Sequence, residues 1–209
     1  VLTHDGTDFD WAAAAGGAST MDELTDVKMD GTNFTNSLVI QPDSDGAAPT
    51  IGGGSPLPSD CSNNIGIGTD TFFHMTDGIN NTAIGATTLD ALTTGDHNSI
   101  LGSEAGSAID TGGLNTCLGW KTGNSITNGN FNISIGTESM SYGNTRVTTG
   151  DYNICIGSYA QASDVDAQHQ TVLGTSITGK GDGTFYVRAA NGSYNSENNA
   201  AWTTTSDSR

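Results

Sequence analysis

Residues 81–85 read NTAIG, 98–102 read NSILG, 115–119 read NTCLG and 132–136 read NISIG. The phrase returns every 17 residues, and a fixed step of that size constrains the fold more than composition does, because stacking of equivalent units is what rewards it. Aligned on the glycine that closes the phrase, the series is Gly68, Gly85, Gly102, Gly119, Gly136, Gly157 and Gly174. Four residues ahead of each stands Asn64, Asn81, Asn98, Asn115, Asn132 or Asn153, with Gln170 in the last place. A second glycine, at Gly78, Gly95, Gly112, Gly129 and Gly150, punctuates the other side of the unit. One step is 21 residues, from Gly136 to Gly157, which puts four extra residues before Gly150, in SYGN at 141–144.

Apolar residues recur at two places in the unit. One precedes the glycine (Ile67, Ile84, Leu101, Leu118, Ile135, Ile156, Leu173) and the other lies seven residues after it (Met75, Leu92, Ile109, Ile126, and Val147 past the insertion). Two short apolar segments per unit, separated by Gly and Asn, predict two short strands joined by tight turns and exclude helices, which would tolerate few of these glycines. A single unit cannot bury its own apolar face, so units must stack. The expected fold is all-β: an elongated repeat or solenoid, of β-helix or β-roll type, with rungs of about 17 residues. Rungs about 4.7–4.9 Å apart put Asn over Asn and Ile over Leu. The asparagine amide is expected to satisfy turn backbone groups, and glycine to supply positive φ where the chain turns.

Ala83, Ile100, Cys117, Ser134, Cys155 and Val172 share the position before the apolar residue, which reads as a packed site. Cys117 and Cys155 lie two rungs apart, roughly 10 Å, too far for a disulfide. With Cys61 they form an odd set without a CxxC, so all three are read as structural thiols. The residue before the asparagine is often large: His97, Leu114, Phe131, Tyr152 and His169. Such an edge is either a sugar-binding strip or a column that packs between rungs or between subunits. His97 and His169 are four rungs apart, roughly 19 Å, and share no metal within one chain. HDGTD at 4–8 and GDGT at 181–184 cluster oxygen ligands without the spacing of a calcium loop, so no metal or other cofactor is expected. Glu104 and Glu138 fall on outward turns with no neighbouring nucleophile or dry cleft, and the chain is not expected to be an enzyme.

Lys plus Arg number 6 against 23 acidic residues, a formal charge of -17. That balance repels phosphate backbones and anionic lipids, so nucleic acid is not an expected partner, and no apolar run suits membrane insertion. Only 34% of residues are hydrophobic, which argues against a thick core. Disorder is the competing reading, but disordered segments have composition without register.

Residues 1–60 leave the repeat. VLTHDGTDFDW at 1–11 and MDELTDV at 21–27 resemble the neck regions of viral and phage tail fibres, and the repeat resembles their shafts and the head repeats of trimeric autotransporter adhesins. The resemblance implies a parallel homotrimer, which suits the physics, since three thin solenoids cover along an axis the faces one leaves bare. GTFYVRAANGSYNSENNAAWTTTSDSR at 183–209 resembles the approach to the intramolecular chaperone of endosialidase-type tail spikes. That family implies cleavage between Ser206 and Asp207, with Asp207 and Arg209 on the far side of the cut.

The expected organisation is a neck or connector over 1–60, a β shaft over 61–178 and a β region over 179–209 leading to the chaperone. Starting at Val1, the sequence reads as a fragment or a processed piece. The expected function is that of a structural fibre of a virion, a tail fibre or spike, acting at the virion surface or extracellularly. Its partners would be two further copies of itself, a host cell-surface glycan or protein receptor, and other virion tail proteins. The alternatives are a trimeric cellular adhesin or extracellular filament, and a polysaccharide-degrading spike. Within the insertion SYGNTR, Tyr142 and Arg146 are the candidate receptor contacts, because there the repeat yields extra surface.

Overall fold

The structure is a computed structural model and describes residues 2–4, 9–11, 27–31, 34–40, 61–143, 146–187 and 193–195. The Ser206–Asp207 cleavage point lies outside the described residues. An antiparallel pair, β1 (Leu2–His4) with β2 (Phe9–Trp11), stands apart from an 11-stranded sheet. That sheet runs in chain order from β3 (Val27–Gly31), β4 (Phe34–Ile40), β5 (Ile65–Ile67), β6 (Thr82–Ile84) and β7 (Ser99–Leu101) to β8 (Thr116–Leu118). It continues through β9 (Ile133–Ile135), β10 (Ile154–Ile156), β11 (Thr171–Leu173) and β12 (Phe185–Val187) to β13 (Ser193–Asn195). Strands β5 to β11 are parallel and contribute one to each of seven turns, so the chain is an all-β parallel β-solenoid. At both ends the sheet turns antiparallel, β3 on β4 and β13 on β12.

Each rung strand is three residues long because Asn and Gly bracket it. The middle residue points inward, and its neighbours point out, as a pleat requires. Pairing keeps the repeat register: Ala83 opposes Ile100, Ile100 opposes Cys117, and Cys155 opposes Ser134 across the longer step. Ser134 therefore stands between Cys117 and Cys155, and all three cysteines are buried.

The second expected strand is absent. Met75, Leu92, Ile109, Ile126 and Val147 do point into the core and are fully buried, but they sit on turns. The N–H groups of Met75, Leu92, Ile109 and Ile126 donate back three residues, to Phe72, Leu89, Gly106 and Gly123. The turn is forced by left-handed backbone at the position three residues earlier, with φ of 59 at Phe72, 52 at Leu89 and 57 at Gly106. The two apolar positions of the unit consequently differ: the second is core, and the one before the glycine faces outward. The insertion also falls later than 141–144. Ser141 is buried and accepts from the Asn124 N–H at 2.8 Å, as its place in the rung requires, so the extra residues leave the rung after it.

The asparagine column is buried throughout. Asn98 Oδ1 accepts from the Asn115 N–H at 3.1 Å, and Asn98 Nδ2 donates to the Gly112 carbonyl at 3.0 Å. The same two bonds recur from Asn64 to Asn153, with Ala167 supplying the last carbonyl. Each amide thus ties its own rung together and hangs the next rung from it. Gln170 donates its N–H to Asn153 Oδ1 at 3.1 Å, but its longer side chain swings to Ser163 and Asp182 and the column ends.

The two glycine columns have different causes. Gly102 has φ of 140, and a Cβ there would lie 2.2 Å from the Gly119 carbonyl oxygen. Gly95 has no positive φ; it is needed because a Cβ would meet the Gly112 carbonyl oxygen of the next rung at 2.2 Å. Left-handed backbone falls on larger residues as well as on Gly106 and Gly123, including the β-branched Thr87 at φ 52. Three substitutions follow in denaturant unfolding. Asn98→Ala strands the Asn115 N–H and the Gly112 carbonyl, costing about 1–3 kcal/mol for each group. Gly95→Ala costs on the order of 1–3 kcal/mol through overpacking. Thr87→Gly is neutral or stabilising by up to about 1 kcal/mol, because it relieves left-handed strain. A destabilising Thr87→Gly would count against this assignment of strain.

Candidate functional site

The outward strand positions form one face. Along it run Ile65, Thr82, Ser99, Thr116, Ile133, Ile154 and Thr171, and beside them Ile67, Ile84, Leu101, Leu118, Ile135, Ile156 and Leu173. Trp120 flanks the face beyond the glycine turn, and Leu114, Phe131 and Tyr152 flank it on the asparagine side. Ile65, Ile67, Leu101, Leu114, Leu118, Trp120, Phe131, Tyr152 and Ile156 are each between 38% and 47% exposed. Of the exposed large apolar side chains, only Tyr142 and Val165 lie elsewhere among the described residues. This face is what sequence reasoning missed: periodicity marked the aliphatic column but assigned both apolar positions to the stack.

The large residues before the asparagines form a column on the margin of that face. His97, Leu114, Phe131, Tyr152 and His169 all hold left-handed backbone, φ 54 to 61. Each N–H bonds the previous rung, as from Tyr152 to the Asn130 carbonyl at 3.0 Å. That tether sets the ring spacing. Phe131 stacks on Tyr152 with centroids 4.7 Å apart and planes 8° apart, and Tyr152 stacks on His169 at 4.9 Å and 3°. Both faces of Tyr152 are taken, leaving ring edges to solvent, whereas a sugar stacks on a ring face. Packing between rungs, one of the readings left open by the sequence, is present at Phe131, Tyr152 and His169. His97 lies four rungs from His169 and instead meets Asn80, 3.2 Å from Nε2 to Nδ2.

Tyr142 is exposed and meets Tyr159 edge-on, with centroids 4.9 Å apart, and Arg146 is exposed on the far side of the insertion. Glu104 and Glu138 lie on outward turns with Lys121 between them in the rung order; Lys121 pairs with Glu104 at 3.1 Å and sits 4.6 Å above the Trp120 ring. Much of the acidity has a local task. Asp96 Oδ1 accepts from the Ile79 N–H at 2.7 Å, and Asp151 Oδ1 from the Asn130 N–H at 2.6 Å. In GDGT, Asp182 Oδ1 accepts from the Gln168 N–H at 2.8 Å and closes the last turn. Burial pushes the Asp90 carboxyl above its ordinary range, against backbone N–H donors and the nearby His74, and Asp90 Oδ1 is buried with no hydrogen-bond partner.

No family model matches the chain, and no curated protein or solved structure matches it either.

Burial pushes the thiols of Cys117 and Cys155 up to about 12 from an ordinary 9.0. Both stay protonated in the folded chain through neutral and mildly alkaline pH and react slowly, since thiolate is the nucleophile. Ellman's reagent at pH 8 is expected to label neither until the chain unfolds. A folded pKa above the unfolded one stabilises fully below about pH 9, and that contribution is lost as pH rises from 9 towards 12. The urea midpoint should therefore fall above pH 9, and fall less in Cys117→Ala with Cys155→Ala.

Proposed function

We propose that the chain is the shaft of a homotrimeric virion fibre, a tail fibre or spike, whose copies associate in parallel and mediate attachment to a host surface. The observation that carries this reading is the outward strand face. Seven rungs at about 4.8 Å run roughly 30 Å, and the apolar side chains along them are contiguous, unlike the scattered singles of an ordinary surface. A second copy aligned parallel to the first presents the same columns at the same heights. Cyclic association about an axis along the stack therefore matches every rung at once. Threefold closure, the virion setting and the roles of other tail proteins rest on the resemblance of VLTHDGTDFDW, MDELTDV and the repeat to tail-fibre sequences. Tyr142 and Arg146 supply aromatic and cationic surface suited to a host glycan or protein receptor.

Sedimentation equilibrium on the full chain is expected to give three times the 21.4 kDa chain mass. Leu101→Glu with Leu118→Glu, both outward and half-exposed, should reduce the particle to a monomer while its circular dichroism is unchanged. A wild-type monomer sinks the fibre reading.

A further inference from the structure

On the side of the core away from the strands, the buried column Met75, Leu92, Ile109 and Ile126 turns inward, so the residues before and after it turn outward. Between those outward columns lies a shallow groove of about 510 Å³ lined by His74, Ala91, Thr93, Ala108, Asp110, Thr127 and Asn128. It spans successive rungs along the solenoid axis. By position in the rung, the column of His74, Ala91 and Ala108 passes through Ser125 to Tyr142, where the insertion rises. The groove is thus bounded by an imidazole at one end and heads towards the exposed tyrosine at the other.

The polar inventory decides what such a groove accepts. Most of its backbone donors are spent on the stack: the N–H of Thr93 goes to the Asp110 carbonyl at 2.9 Å, that of Asp110 to Thr127 at 2.9 Å, and that of Thr127 to Thr148 at 2.8 Å. Its hydroxyl donors are spent as well. Thr93 Oγ1 donates to Asp110 Oδ1, and Thr127 Oγ1 donates to the Thr148 carbonyl at 3.1 Å. Asn128 Nδ2 donates one of its two N–H groups to Thr111 Oγ1 at 2.6 Å. His74 Nδ1 lies 2.7 Å from the Asp90 carbonyl oxygen, so that nitrogen carries the proton and Nε2 of the neutral ring is an acceptor. What remains is mostly acceptors: the second oxygen of Asp110, the Asn128 amide oxygen, His74 Nε2 and the lone pairs of the threonines, with the second N–H of the Asn128 amide beside them. Ala91 and Ala108 contribute methyl groups to its lining.

A partner that fits must supply many hydrogen-bond donors, lay a flat C–H surface on methyl groups, extend along the axis, and carry no negative charge against a chain of net charge -17. We propose that this groove binds a neutral, hydroxyl-rich oligosaccharide chain lying along the solenoid axis. The assignment deepens the attachment reading and rests on it, placing the glycan contact one face away from the association surface, on the column of rung positions that leads to Tyr142.

Saturation-transfer NMR on the full chain tests it, with maltohexaose, cellohexaose, laminarihexaose and chitohexaose as neutral probes, and with oligogalacturonate and hexalysine as charged ones. Transfer to at least one neutral hexamer is expected, with affinity falling tenfold or more in Asp110→Ala, Asn128→Ala and the groove-filling Ala108→Arg. Trp120→Ala, on the margin of the strand face, should leave binding unchanged; circular dichroism checks that each variant folds. Absence of transfer to every neutral hexamer overturns the assignment, as does binding confined to oligogalacturonate or hexalysine. Neutral-glycan binding that survives the three groove changes, or that is lost with Trp120→Ala alone, overturns the location. Sedimentation of the same variants separates the two readings: a trimer without glycan binding sinks the groove alone, and a wild-type monomer sinks the fibre.

Discussion

A polypeptide wound into a narrow tube must satisfy its buried backbone groups with very little apolar mass to compensate for any failure. The asparagine column meets that requirement. One side chain has both a donor and an acceptor, and each amide uses the donor within its own rung and the acceptor on the next. A threonine or serine at the position would not reach both carbonyl and N–H, and an aspartate would lose the donor while burying a charge. Gln170 illustrates the length limit: one extra methylene sends the amide elsewhere, and the column stops there.

Once the rungs hang from that column, their spacing is fixed, and other features inherit it. Carbonyls pass within van der Waals range of the glycines, so a Cβ is excluded at Gly95 although its backbone is unstrained. The ring stack of Phe131, Tyr152 and His169 adopts the same interval because backbone bonds to the previous rung hold each ring in place. The core is thin: one strand residue and a few turn residues per rung fill it, and hydroxyls enter where methyls do not. Thr122 and Ser134 share a hydrogen bond at 2.7 Å inside the tube. A tube of this kind leaves an apolar strand face on one side and a groove rich in hydrogen-bond acceptors on the other, and those two surfaces carry the functional proposals.

The repeat, the parallel stacking, the asparagine amide's role and the buried cysteines were all legible in the sequence, since each follows from identical spacing of identical chemistry. Several details were not. The count of strands per rung depended on left-handed backbone at Phe72 and Leu89, residues that carry no turn signal of their own. The place of the insertion depended on whether Ser141 kept its hydrogen bond to the Asn124 N–H. The groove joins residues from different rungs whose side chains have no common motif, so no spacing announces it.

The sequence by itself determined the period, the columns and the exclusion of helices from the repeat, because a 17-residue register is a property of order along the chain. Only the tertiary structure decided which way each column points. Ile84 and Leu92 are equally apolar on paper, yet one faces outward from a pleated strand and the other is driven into the core by a turn whose geometry is set by the rungs above and below. Direction is a consequence of stacking, and stacking is not local.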